Sequence, residues 1–115
     1  MPTNGFNTKL GRVFFKETLT TAGYGTIIVP DSDPARLENI YIQIKVNGAT
    51  ATGTIQFTSD DPVLVAANDA SVTWVNWTNG TVVDTETSYN IVGRAMTGIR
   101  AQMTGVGTVI WGASY

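Results

Sequence analysis

The groups able to do chemistry in this chain are oxygen and amine groups alone. Its 115 residues hold nine Asp and Glu, seven Lys and Arg, and neither His nor Cys. Lack of histidine removes the commonest general base, zinc ligand and sensor of mild pH change. Lack of cysteine excludes disulfides and thiolate metal sites. A Ser or Thr nucleophile would need a Lys or carboxylate beside it, and no Gly-x-Ser-x-Gly, phosphate-binding glycine loop or Ser-x-x-Lys is present. Asp60 and Asp61 form the obvious carboxylate pair for glycoside hydrolysis. Adjacent residues of a strand point to opposite faces, so the two diverge. The expectation is a protein without enzymatic activity.

Asp31, Asp33, Asp60, Asp61 and Asp69 fall in loops, where oxygen ligands for calcium are common. No run of alternating acids ending in Gly and a distal Glu accompanies them. Turn capping and surface solubility explain them as well, and no metal or cofactor is expected. Trp74, Trp77 and Trp111, with Tyr24, Tyr41, Tyr89 and Tyr115, offer flat faces for a sugar. Trp74 and Trp77 are the candidate glycan-stacking pair, although two tryptophans in one hairpin more often pack inside. Asn76-Trp-Thr78 and Asn79-Gly-Thr81 match the glycosylation pattern and read as coincidence in a Thr-rich chain.

Composition narrows the class further. Hydrophobic residues make up 43% and charged residues only 14%, against about 25% charged in an average domain. Thr, Gly, Asn and Ser fill the difference, which favours strands and turns. A net charge of −2 is too small and of the wrong sign for electrostatic binding to nucleic acid. No run approaches the ~18 apolar residues of a membrane span, and the first residues lack the charged and apolar regions of a signal peptide. The product is expected to stay in the cytosol or to enter something assembled there.

Those groups must be positioned by strands. Residues 1–10 are polar and turn-forming and read as a flexible arm, which leaves 11–115 as one β domain. Gly11 to Thr20 is a first strand with Val13, Phe15 and Leu19 on one face. Glu17 interrupts that face, and Phe14 lies opposite with Lys16. Thr26 to Val29 reads as a short strand stopped by Pro30. Ile40, Ile42, Ile44 and Val46 then alternate with polar residues up to Asn47-Gly48, a type I′ turn signal, so Asn39 to Thr58 is predicted to be a hairpin pairing Ala49, Ala51, Gly53 and Ile55 with that apolar row. Asn79-Gly80 predicts a second hairpin with Trp77 opposite Val82 and Trp74 opposite Thr85. Ser88 to Val92 adds a short strand. About eight short strands and no helical periodicity predict an antiparallel β-sandwich or jelly roll.

Thr97 to Tyr115 reads as a third hairpin, with Gly105 and Gly107 in its turn. An even-membered loop puts Thr108, Ile110 and Gly112 on the face of Ile99, Ala101 and Met103. Val109, Trp111 and Ala113 then stand beside Arg100 and Gln102; a three-residue loop reverses this. A face mixing Trp111 with Arg100 suits contact with another chain. Phe14, Arg100, Val109, Trp111 and Tyr115 are the candidate interface residues.

Gly53-Thr-Ile-Gln-Phe-Thr-Ser-Asp-Asp-Pro62, the Trp74 to Gly80 segment and the run from Tyr89 through Thr97-Gly-Ile-Arg100 to Gly107-Thr-Val-Ile-Trp111 resemble the second half of small β-rich virion proteins of tailed bacteriophages. The likeness covers about the last sixty residues and rests on short motifs. It implies a capsid decoration or cement protein, or else a tail or fibre subunit. A homo-oligomer, a trimer by preference, in contact with the major capsid protein or another virion protein goes with that resemblance. So does a place in the virion, assembled in the host cytoplasm. A carbohydrate-binding sandwich module is the alternative from another class.

Overall fold

The computed structural model describes residues 5–9, 12–29, 40–83, 87–92 and 96–114. They form strands β1 (Gly5–Lys9), β2 (Arg12–Leu19), β3 (Gly23–Tyr24), β4 (Ile40–Asn47), β5 (Thr52–Thr58), β6 (Val75–Val83), β7 (Thr87–Val92), β8 (Gly98–Thr104) and β9 (Thr108–Ser114), with one short helix, α1 (Pro62–Ala66), between β5 and β6. Two antiparallel sheets face each other, a five-stranded one in the order β1-β2-β9-β4-β7 and a four-stranded one in the order β3-β8-β5-β6. The chain is an all-β sandwich, as its alternating pattern predicts.

Connectivity departs from the prediction in an informative way. Asn39 to Thr58 and Thr97 to Tyr115 are not hairpins: β4 and β9 pair with each other in one sheet, and β5 and β8 pair in the other. Each of those turns crosses between layers. A hairpin lays two apolar rows side by side on one surface, whereas a crossing turn sets them face to face and buries both. The large-to-small match in the sequence survives as a contact across the interior. A Cβ on Gly53 would lie 2.9 Å from Ile44 Cδ1, 3.0 Å from Val46 Cγ2 and 3.1 Å from Val109 Cγ1. The two crossing turns also fasten to each other, with the Val106 N–H donating to Thr50 Oγ1 at 3.2 Å.

The ladder contains β5 with β6, β4 with β7, β3 with β8, and β2 with β9. The chain from β2 onward is thus one long antiparallel ribbon folded back on itself and wrapped. Every second residue of β4, from Ile40 to Val46, is buried, and so are Ile55, Ile99, Ala101, Met103, Val109 and Trp111. These meet in one core.

Three further expectations are corrected. Residues 5–9, placed in a flexible arm by composition, pair with β2 along their whole length. Asn79-Gly80 is not a hairpin turn, because β6 runs through it and absorbs the extra residues as an irregularity between the pairs Thr54–Thr81 and Gln56–Asn76. Trp77 therefore does not pair with Val82, and Thr85 lies outside the described residues. Of Thr26 to Val29, the ladder takes only a single bridge between Ile28 and Ile99.

Candidate functional site

The residue that breaks the apolar pattern of β2 turns inward. Glu17 is only 8% exposed. One carboxylate oxygen accepts the Trp111 indole N–H at 2.9 Å and the Thr26 backbone N–H at 2.9 Å, and the other accepts the Thr26 hydroxyl at 2.6 Å. Glu17 and Trp111 are direct neighbours across β2 and β9. The Phe15 ring lies tilted against the Trp111 ring with centroids 5.1 Å apart. A buried carboxylate is tolerable when donors surround it. Thr26 belongs to the segment that runs beside β8, where Gly25 N–H donates to Ala101 O and Ile28 N–H to Ile99 O, each at 2.8 Å. Glu17 therefore ties that segment to the opposite layer. Its surroundings make it a structural clamp.

The outward face of the four-stranded sheet is different in kind. Arg100, Gln56 and Asn76 form one row across β8, β5 and β6, and Tyr24, Gln102 and Thr54 form the next across β3, β8 and β5. Arg100 Nε donates to Gln56 Oε1 at 2.7 Å, and Gln56 Nε2 donates to Asn76 Oδ1 at 2.7 Å. Gln56 spends both ends of its amide on holding this line. The Arg100 guanidinium lies 3.8 Å from the centroid of the Tyr24 ring and 4.2 Å from that of Trp74. Burial between the rings lowers its pKa from the ordinary value, and Tyr24 acts in the opposite sense. An arginine so placed keeps its charge.

Trp74 reaches that position through the segment between β5 and β6. Asp61 caps α1 by accepting the Val63 N–H at 2.9 Å, and Pro62 begins the helix, where a missing N–H does no harm. Asp60 accepts the Thr73 N–H at 2.6 Å. The two acids lie beyond the end of β5 rather than on a strand, and each is occupied with a different backbone N–H. Val65 of α1 is fully buried, and Gly98 leaves room for it, since a Cβ there would lie 2.5 Å from Val65 Cγ1 and 3.2 Å from the Trp74 ring. Beside this segment runs an open groove lined by Phe57, Thr58, Ser59, Asp60, Thr73 and Val75. Among the described residues no group of three or more acids is placed to hold a metal ion.

No protein family, curated protein or solved structure matches the chain. The candidate residues are therefore weighed on their own geometry.

Val109 and Trp111 are fully buried and have no surface to offer a neighbour. That corrects their place in an interface. The cause is the crossing turn, which takes β9 out of the sheet of β8 and turns Trp111 toward Glu17. Arg100 stands on the outer face of the other layer. Phe14 is 42% exposed on the outer face of the five-stranded sheet. Tyr115 lies outside the described residues. Trp74 and Trp77 do not form one platform either: Trp77 packs toward the core against Phe57, ring centroids 5.1 Å apart, while Trp74 points outward to Arg100. Trp77 lies within β6, whereas Trp74 belongs to the segment that leads into it.

Gln56 escaped the sequence reading, Asn76 entered it only in a glycosylation pattern, and Tyr24 only as one of several flat rings with no link to Arg100; Gln102 alone was placed beside Arg100. A lone Tyr between glycines and amides scattered over three strands give no local signal. Only the register of the sheet brings them together.

Proposed function

We propose that this protein is a non-enzymatic structural component of a bacteriophage virion, a capsid decoration or cement protein that acts by contact between copies and with the shell. The supporting observation is apolar surface left outside a closed core. Val63, Val75 and Val106 are 73%, 61% and 80% exposed, and Phe14 and Leu64 are exposed as well. Single exposed apolar residues are ordinary in monomers, so the weight lies on Val63 and Leu64 standing together on one short helix.

The fold is compatible with this use. An order of 2-9-4-7 over 3-8-5-6 is the wrapped-ribbon arrangement of a jelly roll, an architecture found in viral capsid and lectin domains among others. β1 extends one sheet beyond that wrap and forms its outer edge, and such an edge is where a strand of another chain can be added. The phage-like stretches fall on β5, on β6 and on β7 through β9, so the resemblance runs through both layers. Homotrimerisation, contact with a major capsid protein and residence in the virion belong to this proposal. A tail or fibre subunit is the second position that the same resemblance allows.

Light scattering on the purified full chain, followed by co-sedimentation with expanded phage capsid shells, tests it. A mass three times that of the chain and recovery with the shells are expected. A monomer at every concentration that stays in the supernatant while the shells pellet overturns it.

A further inference from the structure

We propose that the outer face of the four-stranded sheet binds an acidic saccharide, of the uronic or sialic acid class, with the sugar carboxylate on the Arg100 guanidinium and the sugar ring against Tyr24. This goes beyond the assembly role and does not depend on it.

The central observation is a cation held in place by two rings and an amide, with no counter-charge among the described residues. Arg100 is fixed from three directions, by the Tyr24 ring, the Trp74 ring and the Gln56 amide. Its bond to Gln56 uses Nε alone, and among the described residues no carboxylate is paired with it and no partner is recorded for its terminal amino groups. A guanidinium presents two parallel N–H groups that match the two oxygens of a carboxylate. Rings and amide together hold that fork still before any ligand arrives, which lowers the entropy lost on binding.

The neighbours say what kind of anion fits. Gln102 is a Cα partner of both Tyr24 and Thr54, so an amide and a hydroxyl share the outer face with the tyrosine beside Arg100. Tyr24 is 57% exposed even with the Arg100 guanidinium over one face of its ring. Among the described residues, one cation, one exposed tyrosine and a set of neutral donors and acceptors suit a sugar with a single acid group. An acidic protein surface is matched by several cations. Of the other cations among the described residues, Lys9, Arg12, Lys16 and Lys45 belong to β1, β2 and β4, in the other layer.

The test is a titration of the isotopically labelled full chain, read as amide and side-chain chemical shifts. Sodium glucuronate and N-acetylneuraminate are the ligands. Methyl glucoside, sodium acetate and an oligoglutamate peptide are the comparisons. Saturable shifts at Tyr24, Gln56, Arg100 and Gln102, with a Kd of about 1 mM, are expected for at least one acidic sugar. Methyl glucoside and acetate should bind at least about tenfold more weakly, since each supplies half of the recognition. Arg100→Lys and Tyr24→Ala should each lose about tenfold. Gln102→Ala removes none of the contacts that hold Arg100, so it should fold normally and weaken binding by a smaller factor, which keeps the test decisive if Arg100→Lys unfolds. Shifts absent from these residues with both acidic sugars overturn the proposal. So does acetate binding as tightly as glucuronate, oligoglutamate binding more tightly than either sugar, or full affinity in a folded Arg100→Lys protein.

Discussion

Glu17 accepts the indole N–H of Trp111 at 2.9 Å from the neighbouring strand, and both side chains are buried. A charged residue and the largest aromatic of the core thus meet on the inner face of one sheet. Thr26 supplies two further donors from the segment that lines the opposite layer. The interior is held at this point by hydrogen bonds as well as by packing.

Glu17→Ala should therefore be severe, because it takes from the fully buried Trp111 N–H and from the two part-buried Thr26 donors the acceptor they share. Each stranded group costs about 1–3 kcal/mol, so a loss of at least about 3 kcal/mol is expected in urea unfolding. Glu17→Gln keeps one acceptor oxygen and should lose roughly half as much. An alanine variant within about 0.5 kcal/mol of the parent, the range of ordinary surface changes, would mean that the clamp holds nothing.

The crossing turn between β8 and β9 supplies a second prediction. Gly105 has φ +79°, and a Cβ on it would run into the Thr50 carbonyl. Gly105→Ala should cost about 2 kcal/mol or more through strain and displacement of the partner turn. Its neighbour Val106 is 80% exposed, so Val106→Ser should change thermal unfolding by no more than about 0.5 kcal/mol. Equal effects from the two substitutions would contradict the interlocked turns.

Much of this architecture was legible in the alternation of the chain. The inward sets Ile40 to Val46 and Ile99 to Met103 followed from period two, as did the inward position of Ala51, Gly53 and Ile55, whereas Ala49 of the same row lies in the turn and is exposed. Partner choice was not legible. Asn47-Gly48 and Gly105-Val-Gly107 carry the residues of a tight hairpin, and the same residues serve a turn that crosses between layers. What separates the two is whether both apolar rows can share one surface, which depends on strands far away in sequence. Trp111 was misplaced for that reason: once β9 joins β2 and β4, its odd-numbered residues face the core. The Arg100 cluster was hidden because its members come from β3, β5, β6, β8 and the segment before β6.

Asp69 gives the pH prediction. The Ser71 backbone N–H and the Ser71 hydroxyl donate to it at 2.8 Å and 2.7 Å, and these bonds, the backbone one foremost, lower its pKa from the ordinary 3.8. A carboxyl whose pKa is lower folded than unfolded contributes its stability above the ordinary value and loses it as pH falls through the folded one. Amide exchange at Ser71 should accelerate, beyond the intrinsic trend, only once pH drops below 3.8, while Asp69→Asn should show no such step. A step that persists in the Asn variant would assign it to another group.

Phe14 bears on assembly. It is the candidate contact residue that keeps an exposed aromatic ring, and it stands on the outer face of β2 next to the edge strand β1. Phe14→Asp should leave the monomer folded, with stability changed by no more than about 1 kcal/mol, yet weaken association between copies. Circular dichroism and light scattering on the same sample separate the two effects. Unchanged association in a folded variant would exclude this face from the interface.

Sedimentation equilibrium of the full chain over a wide concentration range tests the assembly role most directly. A closed oligomer, a trimer by preference, that dissociates on dilution is the predicted result. One ideal species of single-chain mass at every concentration would contradict it.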